Sequence, residues 1–239
     1  MESMLVTMHV WRIPTSEVPK AILRMATQRR PVRRAPGCTF AKLLGTGAGR
    51  TFTPTDADLH QWAVLACWQT REAALAFSDS KPIRAWESRA ASTFAALMQP
   101  LASHGQWSKR EPFGQPVAER WTGAVAALTR ARIKTRFNAS FWSSVPPVTA
   151  SLHAQPGLLG AIGIGEAPIG LQGTFSVWRS NDDIRAFAYR SAPHQTVIER
   201  TKQTGWYAEE LFARFAILDH SGTLGANPIN DPPAQDPAL

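Results

Sequence analysis

The sequence predicts an α+β fold made of two tandem copies of one βαββαβ unit, and three observations carry that prediction. Apolar runs rich in β-formers recur in the same order in the two parts of the chain. Landmark residues recur with them: Trp68 matches Trp178, Ala76-Phe77 matches Ala186-Phe187, and Gly45/Gly47 match Gly163/Gly165. Between the two series, near residues 108–120, Lys109, Arg110, Pro112, Gly114 and Pro116 mark a linker.

The elements follow in order. Met4 to Ile13 is rich in β-formers, so it reads as a strand. Thr15-Ser16-Glu17-Val18-Pro19 combines a capping residue with a first-turn proline and opens a helix toward Gln28. Arg29 to Arg34 reads as a basic loop, and Thr39 to Leu44 as a short strand ending at Gly45-x-Gly47-x-Gly49. His60 to Trp68 is the most continuous apolar run and predicts a buried strand. Thr70 caps a helix through Phe77, a second helix spans Ile83 to Ser92, and Phe94 to Leu101 closes the unit. In the second series Ala124 to Ile133 is a strand, Asn138 to Ser143 a short helix, and Leu158 to Ile164 a strand ending in Gly163-Ile164-Gly165. Gln172 to Trp178 is again a buried strand, Ser180 caps a helix through Ala188, His194 to Thr204 is helical, and Leu211 to Leu218 closes the second unit.

Each unit is thus a split βαβ, or ferredoxin-like, arrangement with an extra helix before its last strand. Two such sheets in one chain can pack face to face as a tandem dimeric α+β barrel. The expected units are residues 1–115 and 116–226, with a disordered tail over 227–239 where prolines and aspartates accumulate.

Composition narrows the function classes. The 239 residues are 44% hydrophobic and 18% charged, which suits a globular core, and most of the nine tryptophans are expected in it. The net charge of +8 raises nucleic acid, but the densest basic run, Arg29 to Arg34, has no interleaved aromatics and no nucleic-acid motif around it. A solvated loop, an anionic membrane surface or an acidic protein fits that run at least as well. Cys38 and Cys67 lack metal-type spacing and read as small buried hydrophobes, so a reducing compartment, the cytoplasm, is expected. The first residues lack a signal-peptide pattern and no run of 18 apolar residues occurs; contact with a membrane would be peripheral.

The glycine clusters Gly45-x-Gly47-x-Gly49 and Gly160-x-x-Gly163-x-Gly165 lie between strands, with no helix N-terminus to take a phosphate, and read as strand-end turns. His194 draws attention because its counterpart in the first unit is Ile83, within Ser80-Lys81-Pro82-Ile83 against Ser191-Ala192-Pro193-His194. With Val197, Ile198 and Thr201 at i+3, i+4 and i+7 it shares the helix face turned toward the sheet, where an imidazole must be paired, hydrogen-bonded or metal-bound. A surface or satisfied histidine is the plain alternative. His60, whose counterpart is Gly170, is the second candidate, with a strand-end histidine at the barrel rim as its plain reading. Arg130 and Arg132 share one face of an apolar strand and call for anionic partners such as the carboxylates of a ligand, unless they lie at the surface.

Several segments together resemble the spheroidene monooxygenase family of carotenoid biosynthesis. They are Gly45 to Gly49 with Phe52-Thr53-Pro54, His60 to Trp68, Gln99-Pro100, Trp107 with Glu111-Pro112-Phe113, and Ala127 to Ala131. Gly163 to Pro168, Thr174 to Trp178, Pro193-His194 and Trp206 to Phe215 complete the set. The resemblance implies a heme b oxygenase that uses O₂ and reduced ferredoxin, or another electron donor, to oxidise an acyclic carotenoid. It is also similar to other heme enzymes on dimeric α+β barrels, chlorite dismutases and aldoxime dehydratases, in which a histidine of the C-terminal half ligates iron. By that resemblance His194 is the iron ligand, Val197 and Ile198 pack beside the heme, and Arg130 or Arg132 pairs with a propionate. His60 and Arg130 are then the candidate catalytic side chains, in a pocket that tryptophan and phenylalanine keep dry. Two alternatives stand beside this: a heme enzyme that dehydrates or rearranges a substrate bound to iron through nitrogen, and a non-catalytic barrel that only binds a ligand.

Overall fold

The computed structural model describes residues 4–47, 56–117, 121–166, 173–190, 206–224 and 227–228. The first half runs β1 (Leu5–Arg12), a 3-10 turn (Thr15–Glu17), α1 (Val18–Thr27), α2 (Arg29–Arg33), β2 (Cys38–Gly47), β3 (Ala57–Trp68), α3 (Arg71–Ser78), α4 (Lys81–Glu87) and β4 (Ser92–Gly105). The second runs β5 (Val125–Ile133), a 3-10 turn (Thr135–Phe137), α5 (Asn138–His153), β6 (Leu158–Gly165), β7 (Gly173–Trp178), α6 (Asn181–Arg190), β8 (Tyr207–Leu224) and the short β9 (Asn227–Pro228). The region of His194 to Thr204, expected to be helical, lies outside the described residues.

The strand order is β4-β1-β3-β2-β6-β7-β5-β8, and β4 pairs with β8, so eight antiparallel strands close into a barrel. Read from its two ends this order is a palindrome. The second strand of one half meets the second strand of the other, and the last meets the last, as two ferredoxin-like sheets related by an internal two-fold require. Closure leaves no open sheet edge among these eight strands.

Alternation along each strand sends one set of side chains inward and the other outward. Inside the barrel lie Val6, Met8 and Val10 of β1 and Ala63, Leu65 and Cys67 of β3. Phe94, Phe175 and Phe215 join them from β4, β7 and β8. Outside the first half, α1 to α4 cover a second core built on Trp11, Trp62, Trp68 and Trp86, each about 1% exposed or less. Trp11 and Trp86 stack at 5.1 Å, and Trp86 donates to Gln28 Oε1 at 2.9 Å, which ties α4 to the end of α1. At about 25 cal/mol per Å² an aromatic ring burying 150–250 Å² contributes about 4–6 kcal/mol of transfer free energy. Local signals agree with the elements. Thr70 Oγ1 accepts from Ala73 N at 3.2 Å at the start of α3, and Ser180 Oγ accepts from Asp183 N at 3.2 Å at the start of α6.

Four expectations are corrected. Arg29–Arg33 is a helix, because Pro31 falls in its first turn, where a missing N–H costs nothing. α4 ends at Glu87, and Ser92 already belongs to β4. α5 continues to His153 through Pro146 and Pro147, well past Ser143. The glycine motifs are strand, not turn: Gly45 pairs with Gly165, Thr46 with Ile164 and Gly47 with Gly163, forming the β2–β6 seam between the halves. Gly49 lies outside the described residues.

Candidate functional site

Strand register aligns the two halves without reference to sequence likeness. In the first, β3 residues Trp68, Ala66, Val64 and Trp62 face β1 residues Leu5, Thr7, His9 and Trp11. In the second, β7 residues Trp178, Ser176 and Thr174 face β5 residues Val125, Ala127 and Thr129. Continuing along the strands puts Ala131 where the first half has Trp11. Likewise β2 and β6 put Gly163 opposite Thr174 where Leu43 stands opposite Val64. On the last strands Arg214 occupies the place of Leu97. The outward face of the first half is therefore filled with its own bulk, whereas that of the second carries small or polar side chains. Val125, Ala127, Ala161 and Trp178 form an apolar floor there, beneath Leu152 of α5 and Ile184 of α6. Arg214 at its margin donates to Asn181 Oδ1 at 2.6 Å, at the start of α6.

The opposite, inward face of β5 holds Arg130, 4% exposed in a charged cluster. Its Nη1 lies 2.5 Å from Glu209 Oε2 and its Nη2 2.9 Å from Glu166 Oε1, while the guanidinium sits 5.2 Å over Trp107. Lys42 Nζ meets Glu166 Oε2 at 2.5 Å, and Trp107 Nε1 donates to Glu166 Oε1 at 2.6 Å. Glu209 also accepts from the backbone N–H groups of Ser108 and Lys109, at 3.1 and 2.9 Å. Those two residues hold left-handed φ values of 56° and 60°, costly for side chains of this type and secured here by the carboxylate. Burial raises both carboxyls. For Glu166 the donors Lys42 and Trp107 and the charges of Lys42 and Arg130 outweigh it; for Glu209 the backbone donors and Arg130 do. Both are left below the usual range. The anionic partners that the arginine-bearing strand called for are thus carboxylates of the chain itself. Arg132, next on that face, is exposed.

His60 stands near the start of β3. Its Nδ1 is 3.1 Å from Asp58 Oδ1, and its Nε2 3.2 Å from Thr15 Oγ1, with the roles set by the tautomer. Asp58 Oδ2 accepts from Arg12 Nη1 at 2.9 Å. This hydroxyl–imidazole–carboxylate chain can pass or hold a proton at a half-exposed position. His9, by contrast, is sealed beneath α3 with Nε2 3.3 Å from Ser78 Oγ, and burial pulls its pKa down to about 4.

The structure brings Arg130 together with Glu166, Glu209, Lys42 and Trp107, and His60 with Asp58 and Thr15. It does not bring Arg130 and His60 into one site. His194, Val197 and Ile198 lie outside the described residues. Sequence reasoning missed Glu166 and Glu209, whose separations of 36 and 79 residues from Arg130 leave no local signal. It also missed Arg214, which comparison with Leu97 in the other half would have found.

No family model matches the chain. Curated relatives do. The chain is 37% identical over 219 residues to spheroidene monooxygenase of Rhodobacter capsulatus, spanning 90% of each sequence. It is 32% identical over 230 residues to spheroidene monooxygenase of Cereibacter sphaeroides, covering 95% of this chain and 70% of that one. The chain belongs to the spheroidene monooxygenase family. A third family member, from Rubrivivax gelatinosus, is 32% identical over 194 residues, 80% of this chain and 73% of its own. Among solved structures, an aldoxime dehydratase in complex with butyraldoxime superposes with a TM-score of 0.59 at 12% identity, covering 92% of this chain and 82% of that one. A second aldoxime dehydratase gives 0.56 at 11% identity over 90% and 81%. At such identities the likeness is one of fold, and it places this family member among the tandem dimeric α+β barrels that its sequence predicted.

Proposed function

We propose that this chain is a heme-dependent monooxygenase acting on a carotenoid or another apolar molecule, in which His194 would ligate the iron of a heme b and the outward face of the second half would receive the macrocycle. The observation that carries the reading is the loss of bulk between the two faces. Trp11, Leu43 and Val64 fill the first where the second offers Ala131, Gly163 and Thr174. A planar macrocycle needs such a face, and the residues present suit one. Ile83, the counterpart of His194, is 1% exposed and packed between α4 and its sheet. The sequence correspondence of Ser191-Ala192-Pro193-His194 with Ser80-Lys81-Pro82-Ile83 is what supports assigning the ligand role to His194, with Val197 and Ile198 proposed as its apolar neighbours.

Heme, when bound, supplies the O₂ and electron chemistry that no side chain of the protein provides. The chain's own work is ligation through a neutral imidazole, orientation, and dryness. Val125, Ala127, Ala161 and Trp178, sealed beneath α5 and α6, would keep water from the base of the pocket. Arg214 offers a cation for the carboxylates of heme b, whereas Arg132 shares the inward side of β5 with Arg130; His60, held by Asp58 and Thr15, is the proposed proton-handling side chain. Arg130 acts from inside the barrel, holding β5 through Glu209 and Glu166. Electrons come in this reading from reduced ferredoxin or a similar donor. The heme-bearing unit is residues 116–226, following the unit of residues 1–115.

The test is the optical spectrum of the purified protein with and without hemin, beside that of His194→Ala. A Soret band that shifts or vanishes in the variant supports ligation, and a variant that binds hemin as tightly as wild type overturns it. Oxygen uptake with a reductant and a carotenoid separates the reactions: turnover without O₂ would sink the monooxygenase.

A further inference from the structure

α1 carries two apolar faces, and only one meets the protein. Ala21 and Met25 turn inward and are buried, as amphipathic packing on the sheet requires. At 100° per residue, Pro19, Ile22, Leu23 and Ala26 fall at i, i+3, i+4 and i+7 along a second stripe. All four are exposed, Ile22 by 44% and Leu23 by 62%, which among the described residues are two of the few large apolar side chains left open to solvent. Directly after them comes α2, whose inward anchor is Val32 and whose Arg29, Arg30 and Arg33, with Arg34 beyond, are exposed. Arg29 donates to the backbone carbonyl of Glu166 at 3.0 Å, which pins this corner to the end of the β2–β6 seam. Among the described residues Arg30, Arg33 and Arg34 make no ion pair with a carboxylate.

We propose that α1 and α2 form a docking surface for an anionic lipid bilayer, with Pro19, Ile22, Leu23 and Ala26 entering the headgroup–acyl boundary and the arginines meeting lipid phosphates. An acidic protein would answer the arginines but leave the apolar stripe without a counterpart. A bilayer of negative surface charge answers both at once. Among the described residues no helix is long and apolar enough to cross a membrane, so the contact is with its surface. This surface stands on α1 and α2 alone and does not depend on heme, His194 or turnover.

The experiment is co-sedimentation of the full chain with vesicles of phosphatidylcholine containing phosphatidylglycerol, against phosphatidylcholine alone. Binding is expected only to the anionic vesicles and falls as salt is added. Each arginine near a charged surface contributes about fivefold, so Arg30→Gln/Arg33→Gln/Arg34→Gln weakens binding roughly a hundredfold. Ile22→Ser/Leu23→Ser weakens it by about tenfold or more at unchanged charge. Both sets are at the surface, and unchanged circular dichroism and Tm check that each variant is folded. If the serine variant binds as wild type does, the patch reads charge alone, as an acidic protein partner would require, and the proposal fails. It fails equally if wild type ignores anionic vesicles, or if the serine variant alters only self-association in sedimentation velocity, which would make a second copy of the chain the occupant.

Discussion

Arg130→Met tests whether the charged cluster inside the barrel holds the second half in place. The change keeps an unbranched apolar stem but removes the guanidinium that bridges Glu209 at 2.5 Å and Glu166 at 2.9 Å. Breaking a buried ion pair from one side costs about 3–5 kcal/mol, mostly for the charge left behind. Glu209 keeps its two backbone donors, and Glu166 keeps Lys42 and Trp107, so the low end, about 3 kcal/mol, applies here. For a chain of this size each kcal/mol moves Tm by about 2–4 °C, giving a fall of about 6–12 °C. The pH dependence supplies a second signature. In wild type both carboxyls lie below their ordinary 4.5, so their stabilisation is present above that value and fades as pH falls through the lowered one. Without Arg130 the pull on both weakens, and protonation relieves the leftover charge. The gap between variant and wild type is therefore widest near neutral pH and narrows on acidification. Urea unfolding followed by tryptophan fluorescence at several pH values reads both effects, and adding Glu209→Gln to the variant is expected to recover stability. A variant within about 0.5 kcal/mol of wild type at neutral pH, or a gap that widens toward acid, would refute the reasoning.

Two further outcomes are expected. His9 has a folded pKa of about 4 against 6.5 unfolded, so it contributes stability that is complete above 6.5 and lost as pH falls toward 4, about 3 kcal/mol in all. His9→Gln, which can still reach Ser78, should flatten the urea midpoint between pH 6.5 and 4.5, above the carboxylate range; parallel profiles for the two proteins would count against it. Ala131→Trp gives β5 the indole that β1 carries at Trp11, so hemin titration should show no Soret band while Tm stays near wild type. Full loading of that variant would move the proposed pocket elsewhere.

Much of the barrel was legible because strands announce themselves through runs such as His60 to Trp68, where nearly every side chain is apolar and one face or the other must be buried. The duplication was legible for the same reason, since equal cores demand equal landmarks. Glycine misled where a long-range contact overrode local habit. Gly45, Gly47, Gly163 and Gly165 look like turns in sequence, yet they sit in strands at the joint between the two halves. Proline misled in α5, where Pro146 and Pro147 lie inside a helix that continues to His153. The candidate site was half legible. His60 and Arg130 stood out as polar side chains in apolar strands, but Thr15 lies 45 residues from His60 and Glu209 79 from Arg130. Only closure of the barrel brings such partners together.

The two joints of the barrel are unequal. Among the described residues β4 and β8 share eleven register pairs, whereas β2 and β6 share three. One joint is a spine and the other a clasp. On the described pairings, parting of the two halves is expected to start at the clasp and pivot on the spine. The clasp is also where Arg29 reaches across from α2 to the carbonyl of Glu166, whose side chain binds Lys42 and Arg130. A load on the arginine-bearing corner is thus passed directly to the clasp. Positive charge gathers beside the joint that has the fewer register pairs among the described residues.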